Sequence, residues 1–205
     1  MLDRVVYYLA LIARITVPAT LVAWLLLHPF VSFWRHIGTA KTLVVITAAT
    51  VLAALVMYLV REPLLGLRFG VRWPLACVSA VLLALSSYLN ALVYRQVPKF
   101  MAFGLAEISC ADSGHLVTEG VYSRLRHPRF VAMALAVAAM ALLTNYAAIY
   151  ILFVVYVVAI FVISLLEDRE LAARFGSRYS DYVRDVPRFL PSFGGQRGCG
   201  DCDAT

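Results

Sequence analysis

Ala147 to Leu166 is a run of 20 residues without a charged side chain. At about 1.5 Å per residue, a helix of that length matches a bilayer core of roughly 30 Å. A second apolar run, Phe130 to Thr144, precedes it, and only the polar pair Asn145-Tyr146 separates the two. A connection this short forces the two helices antiparallel. Pro128 fits the first turn of the earlier helix, where a missing N–H costs nothing. His127 at the start of one helix and Glu167 at the end of the other must then share a membrane face. The pattern predicts a membrane hairpin that assembles a polar site at one surface.

Composition agrees. The chain has 205 residues, 62% of them hydrophobic and 15% charged, with a mean hydropathy of +0.83. This predicts an all-α integral membrane protein with room for one helical bundle and no large soluble domain. About five transmembrane helices are expected. The first starts near Val5 or Ile15 and ends near Leu27 or Trp34, bent or ended by Pro18 and Pro29. A start at Val5 puts Arg14 inside the membrane, where a charge is functional by default. A start at Ile15 puts it at the interface behind an amphipathic lead-in, the reading favoured by the cost of burying arginine. The second span runs from about Thr42 to Val60, the third from about Trp73 to Tyr94. Residues 1–95 thus form a three-helix unit. Residues 96–191 form a loop, the hairpin and a C-terminal segment, and residues 192–205 read as a disordered tail. Within the loop, Pro98 to Ile108 reads as a short interfacial helix.

Five spans put the termini on opposite sides, with 5 of the 18 basic residues on the N-terminal side and 13 on the other. The positive-inside rule places the larger group, the long loop and the His127–Glu167 site in the cytoplasm. The N-terminus is then outside, and a bacterial-type inner membrane or an equivalent endomembrane is the expected location. No basic block resembles a nucleic-acid arm, so membrane lipids, not nucleic acid, are the expected partners. Cys199-x-x-Cys202 lacks the further ligands a zinc site needs, and no metal is expected. Ser86, Ser87 and Asn90 read first as helix-to-helix hydrogen-bonding groups, with Asn90 also a candidate for facing the substrate.

Several motifs fall in one order: Leu116 to Tyr122 (LVTEGVY), Arg126 to Phe130 (RHPRF), Glu167-Asp168 with Glu170, Phe175-Gly176, Tyr179, Tyr182 and Val186 to Pro191 (VPRFLP). Together they resemble the isoprenylcysteine carboxyl methyltransferase family, which is related to phospholipid N-methyltransferases. The resemblance covers about residues 113–191. It implies transfer of a methyl group from S-adenosylmethionine to a lipophilic acceptor that enters from the bilayer. By the same resemblance the cofactor pocket takes in His115 (displaced by one position from the family's usual polar residue), Leu116, Val117, Tyr122, His127, Pro128, Phe130 and Glu167. Arg126 is the candidate nearest the chemistry, and Arg188 is a candidate for substrate or lipid headgroups. Two positions depart from the pattern. Phe130 stands where tyrosine is common, and Ile163 occupies the place of a substrate-binding arginine in the eukaryotic enzymes. The second departure argues against a prenylcysteine carboxylate as acceptor.

The residue types suit that chemistry. Aromatic faces such as Tyr122 and Phe130 attract a sulfonium. A carboxylate at Glu167 accepts hydrogen bonds from ribose hydroxyls or an ammonium. His127 suits a cofactor carboxylate or ribose, and the N–H groups opening the helix at Pro128 favour an anion. Transfer to an acceptor that is already nucleophilic depends on alignment and exclusion of water more than on acid–base help. Taken singly, each residue has a plainer role: His127 as a helix cap, Glu167-Asp168 as a solvated helix exit with Glu170–Arg174 as an i,i+4 pair, and Tyr122 as an interfacial anchor. Two other functions stay open. One is an NADPH-dependent membrane reductase, since sterol reductases also carry Arg-His-Pro near a C-terminal helix. The other is a lipid-binding scaffold.

Overall fold

The computed structural model describes residues 1–61, 66–96 and 116–191. Among these the chain is helical, with no strand beyond one isolated bridge between Arg68 and Tyr146. The helices are α1 (Leu2–Leu27), α2 (Val31–Ile37), α3 (Thr39–Leu59), α4 (Trp73–Gln96), α5 (Pro128–Thr144), α6 (Ala147–Phe175) and α7 (Ser177–Asp185). Short 3₁₀ turns occupy His28–Phe30 and Gly120–Ser123. The expected interfacial helix over Pro98 to Ile108 and the tail lie outside the described residues.

Four segments are long and apolar enough to cross a membrane: Leu2–Ile37, Thr39–Leu59, Trp73–Gln96 and Ala147–Phe175. The fifth expected span, Pro128–Thr144, is apolar but has only 17 residues, or roughly 25 Å. The architecture is that of an integral membrane helix bundle. Many of its outward side chains are bare aliphatics, such as Val44, Leu52, Val81 and Val154, which suit lipid better than water.

The hairpin forms as its pattern requires. Asn145 ends α5 in the left-handed conformation (φ 52°), which Asn tolerates better than most residues. Its side chain donates to Gly70 O (2.7 Å), and its carbonyl accepts from Phe69 N (3.0 Å). The segment between α3 and α4 is thereby stitched to the hairpin turn. At the same end, Arg68 pairs with Asp3 at 2.8 Å. Arg35, from the other end of the N-terminal pair, meets Glu170 near the end of α6. Charged groups are thus gathered at both ends of the bundle.

α4 lies along α5 in a fixed register. Ser79 Oγ donates to Ala139 O (2.8 Å) and Ser86 Oγ to Ala132 O (2.7 Å). These serines do what small polar residues do between membrane helices, joining backbones that approach closely. The same register sets Asn90 level with Pro128, at the mouth of the hairpin. Cys77 sits exposed on this helix.

α1 is one helix through Pro18, so that proline does not end it; Pro29 does, within the 3₁₀ turn. No separate lead-in precedes Arg14. Its buried side chain donates to Arg61 O (2.5 Å) and Val60 O (2.9 Å). It thus satisfies carbonyls at the end of α3 that have no partner within that helix. Arg14 stands roughly 16 Å along α1 from Asp3, level with the end of α3.

Candidate functional site

The hairpin places His127 and Glu167 together, and the geometry adds a residue that the motif reading left in the background. His127 is the residue before Pro128 and is buried. It does not cap α5 with its side chain. Instead the ring lies between two consecutive carboxylates of α6. Nδ1 is 3.3 Å from Glu167 Oε2, and Nε2 is 2.9 Å from Asp168 Oδ1. Both nitrogens can donate to carboxylates at once only if the ring is an imidazolium. Burial by itself lowers the imidazole pKa, but the hydrogen bonds and charges of Asp168 and Glu167 outweigh it and hold the group at about 9.

Asp168 is the hub. Besides His127, its carboxylate accepts from Arg126 (2.9 Å), from both Nε and Nη2 of Arg188 (3.1 and 2.6 Å) and from the Tyr179 hydroxyl. Arg126 also donates from Nε to Val186 O (2.9 Å). The backbone follows the side chains: Arg126 N donates to Pro187 O (2.9 Å) and His127 N to Arg188 O (3.2 Å). The C-terminal segment is thus strapped across the start of α5. Arg126 and Arg188, read from sequence as candidates for chemistry and substrate, both bind Asp168. Burial and the Asp168 carboxylate push the Tyr179 hydroxyl pKa upward.

The loop ahead of the hairpin is held against this framework. Tyr182 donates to Tyr122 O (2.7 Å), and Val121 N donates to Gln96 Oε1 (3.3 Å). Gly120 turns the chain at φ +59°, with the Gln96 side chain where a Cβ would stand. The Tyr122 hydroxyl is pushed up to about 12, first by burial and then by the nearby charge of Glu167. Leu116 and Val117 lead into this turn half-buried. His115 lies outside the described residues. Asn90 is half-buried on α4 at the level given by its register.

Aromatic rings close the inner side. Phe130 is buried and stacks on His127 (centroids 5.3 Å, planes 20° apart). Phe189 reaches the same ring at 6.0 Å, and Trp24 of α1 lies 4.8 Å from Phe130. Ile163 is fully buried against Phe130 and Leu21. Glu170 pairs with Arg35 across the bundle, and its Oε2 is buried with no hydrogen-bond partner. No cluster of three or more His, Cys, Asp or Glu side chains able to hold a metal occurs among the described residues.

Asp168, Tyr179, Arg35, Glu170 and Trp24 were not among the predicted site residues. Asp168, Glu170 and Tyr179 stand among the motif residues of the resemblance, and the surplus of arginines in RHPR and VPRF was a further signal for Asp168. Arg35 and Trp24 lie more than 100 residues from their partners and gave none.

The described residues form an all-helical bundle with four segments able to cross a membrane and a buried His–carboxylate–guanidinium cluster at one end. A phospholipid methyltransferase family model matches residues 75–178, just over half of the chain. The chain belongs to that family, which is related to the isoprenylcysteine carboxyl methyltransferases. The match covers α4, the loop, the hairpin and the start of α7. α1 to α3 and the segment from Val186 to Phe189 lie outside it. Neither a curated protein nor a solved structure matches the chain.

Proposed function

We propose that the protein is an S-adenosylmethionine-dependent methyltransferase whose acceptor is lipophilic and reaches the site from the bilayer. The observation that carries this reading is the clamp on His127, which fixes Glu167 at the mouth of the hairpin in a methyltransferase-family chain. With Oε2 facing the imidazolium, Glu167 Oε1 is left to accept from a hydroxyl or an ammonium group. Glu170 Oε2, buried without a donor, is a second such acceptor, and the ring of Tyr122, near Glu167, suits a sulfonium. These residues fit the cofactor.

S-adenosylmethionine supplies a methyl group activated by its sulfonium charge. The chain's own part is positioning. His127 orients Glu167, Tyr122 borders it, and Pro128 starts a helix whose first N–H groups favour a carboxylate. Asp168 and the strap from Val186 to Phe189 keep water from the inner side. By the distribution of basic residues this end of the bundle faces the cytoplasm, where the cofactor is available.

The test is transfer of label from methyl-labelled S-adenosylmethionine in membranes carrying the protein. Label should enter the organic-extractable fraction and be lost in Glu167→Gln. Label found only in protein or water-soluble fractions would overturn the lipophilic acceptor.

A further inference from the structure

Beyond α6 the chain turns at Gly176, and α7 leads it back to the mouth of the hairpin. The segment that follows, Val186 to Leu190, does not stay level with the Asp168 cluster. Arg188 keeps its guanidinium on Asp168, but the next side chain turns inward. Phe189 packs against the core cluster that holds Tyr156, Ile160 and Ile163, and its ring lies 6.2 Å from that of Phe161. Phe161 stands six residues before Glu167 on α6, or roughly 9 Å deeper along the helix axis. That depth falls within the uncharged run of a segment able to cross the bilayer.

Phe161 belongs to the lipid side of α6. It is 48% exposed and shares one helical face with Val154, Val158 and Leu165, all exposed. On the other side, the same Phe189 ring is 6.0 Å from the buried His127 ring. One side chain thus stands between the lipid-facing strip and the His127 clamp. Leu190, next to it in the chain, is 79% exposed.

The backbone of the segment suits that depth. Non-helical chain is tolerated within a membrane only where its polar groups find partners in the protein. Val186 N donates to Tyr182 O, and the carbonyls of Val186, Pro187 and Arg188 accept from Arg126 Nε, Arg126 N and His127 N. Pro187 and Pro191 have no N–H to satisfy. The exposed apolar edge left by Phe161 and Leu190, continuous with the aliphatic strip of α6, fits hydrocarbon better than water.

We propose that Val186 to Leu190 re-enters the leaflet, that Leu190 and the Phe161 strip contact acyl chains there, and that Phe189 is the gate past which the hydrocarbon chain of the acceptor reaches the His127–Glu167 site. The acyl contact stands without any activity; only the gating role rests on the methyl-transfer reading. The segment lies past the family match, which ends at residue 178.

The experiment replaces Phe189 and Leu190 in turn by benzoylphenylalanine, with Val154 as the lipid-facing reference position and Asp181, on the exposed side of α7, as the aqueous one. Each protein is reconstituted in vesicles of palmitoyl-oleoyl phosphatidylcholine, irradiated, and analysed for phospholipid adducts by mass spectrometry. The adduct at 190 should approach that at 154, with a measurable adduct at 189 and little at 181. An adduct at 190 no greater than that at 181 would overturn the re-entry. The gate is tested by label transfer from methyl-labelled S-adenosylmethionine to the organic-extractable fraction of membranes carrying the protein. Phe189→Trp, which fills the passage, should slow transfer about tenfold, the scale of an overpacked side chain. S-adenosylhomocysteine affinity and melting temperature should stay the same. A wild-type rate in Phe189→Trp would overturn the gate, and lost S-adenosylhomocysteine affinity would assign Phe189 to the cofactor instead. If the wild type neither binds S-adenosylhomocysteine nor transfers label while adducts form at 190, the methyltransferase reading fails and the gate with it, and the re-entrant contact stands.

Discussion

Replacing Asp168 by asparagine keeps the size of the side chain and removes its charge. In the native protein that carboxylate, 12% exposed, receives Arg126, His127, Tyr179 and two donors of Arg188. After the change, two guanidinium groups and an imidazolium would face a neutral amide that must also point its own N–H₂ at one of them. Breaking a buried charge cluster by deleting one partner costs about 3–5 kcal/mol. The individual hydrogen bonds do not add beyond this, because they share one acceptor group. For a domain of this size each kcal/mol lowers Tm by about 2–4 °C, so Asp168→Asn should melt roughly 10 °C below wild type. The assay is thermal unfolding in maltoside, with limited proteolysis at the strap as a second readout. Cleavage after Arg126 or Arg188 should become fast at temperatures where the wild type resists. Glu167→Gln is the internal control: one contact at 3.3 Å and a side chain 25% exposed predict a smaller loss. The hub reasoning is refuted if Asp168→Asn melts within a degree or two of wild type, or if Glu167→Gln is the more damaging change.

The His127 clamp predicts a pH dependence of stability. The folded pKa of about 9 lies above the ordinary value of about 6.5, a difference worth about 3 kcal/mol. That stabilisation is complete below pH ~6.5 and disappears as pH rises through about 9, so melting curves should fall across this window and flatten in His127→Gln. A slope of the opposite sign would mean that the ring is neutral in the folded protein. Gly120→Ala is expected to cost about 1–2 kcal/mol, because φ +59° is strained for an L side chain and the Gln96 side chain must also move. Unfolding in detergent checks it, and a neutral result would mean that the turn relaxes.

The helices were legible because a bilayer demands long apolar runs, and an uncharged run of 20 residues admits few readings. The facing of His127 and Glu167 followed from the brevity of Asn145-Tyr146 alone. The register of α4 on α5, by contrast, rests on Ser79 and Ser86 meeting particular carbonyls, which hydropathy does not encode. Glu167 and Asp168 are neighbours on a helix and point about 100° apart. The sequence names both without saying which one organises the site. Glu170–Arg174 was the plainer, local pairing open to Glu170; the structure adds a hydrogen bond from Arg35, on α2. Arg14 lies level with the end of α3, where its guanidinium meets otherwise unsatisfied carbonyls, a demand invisible until α3 is seen to stop there.

The most direct measurement is calorimetric titration of S-adenosylhomocysteine into the detergent-purified protein, with NADPH titrated in parallel. Saturable binding of S-adenosylhomocysteine, abolished in Glu167→Ala without loss of fold and with no binding of NADPH, is the predicted result. Binding of NADPH alone, or S-adenosylhomocysteine binding that survives Glu167→Ala unchanged, would contradict the account.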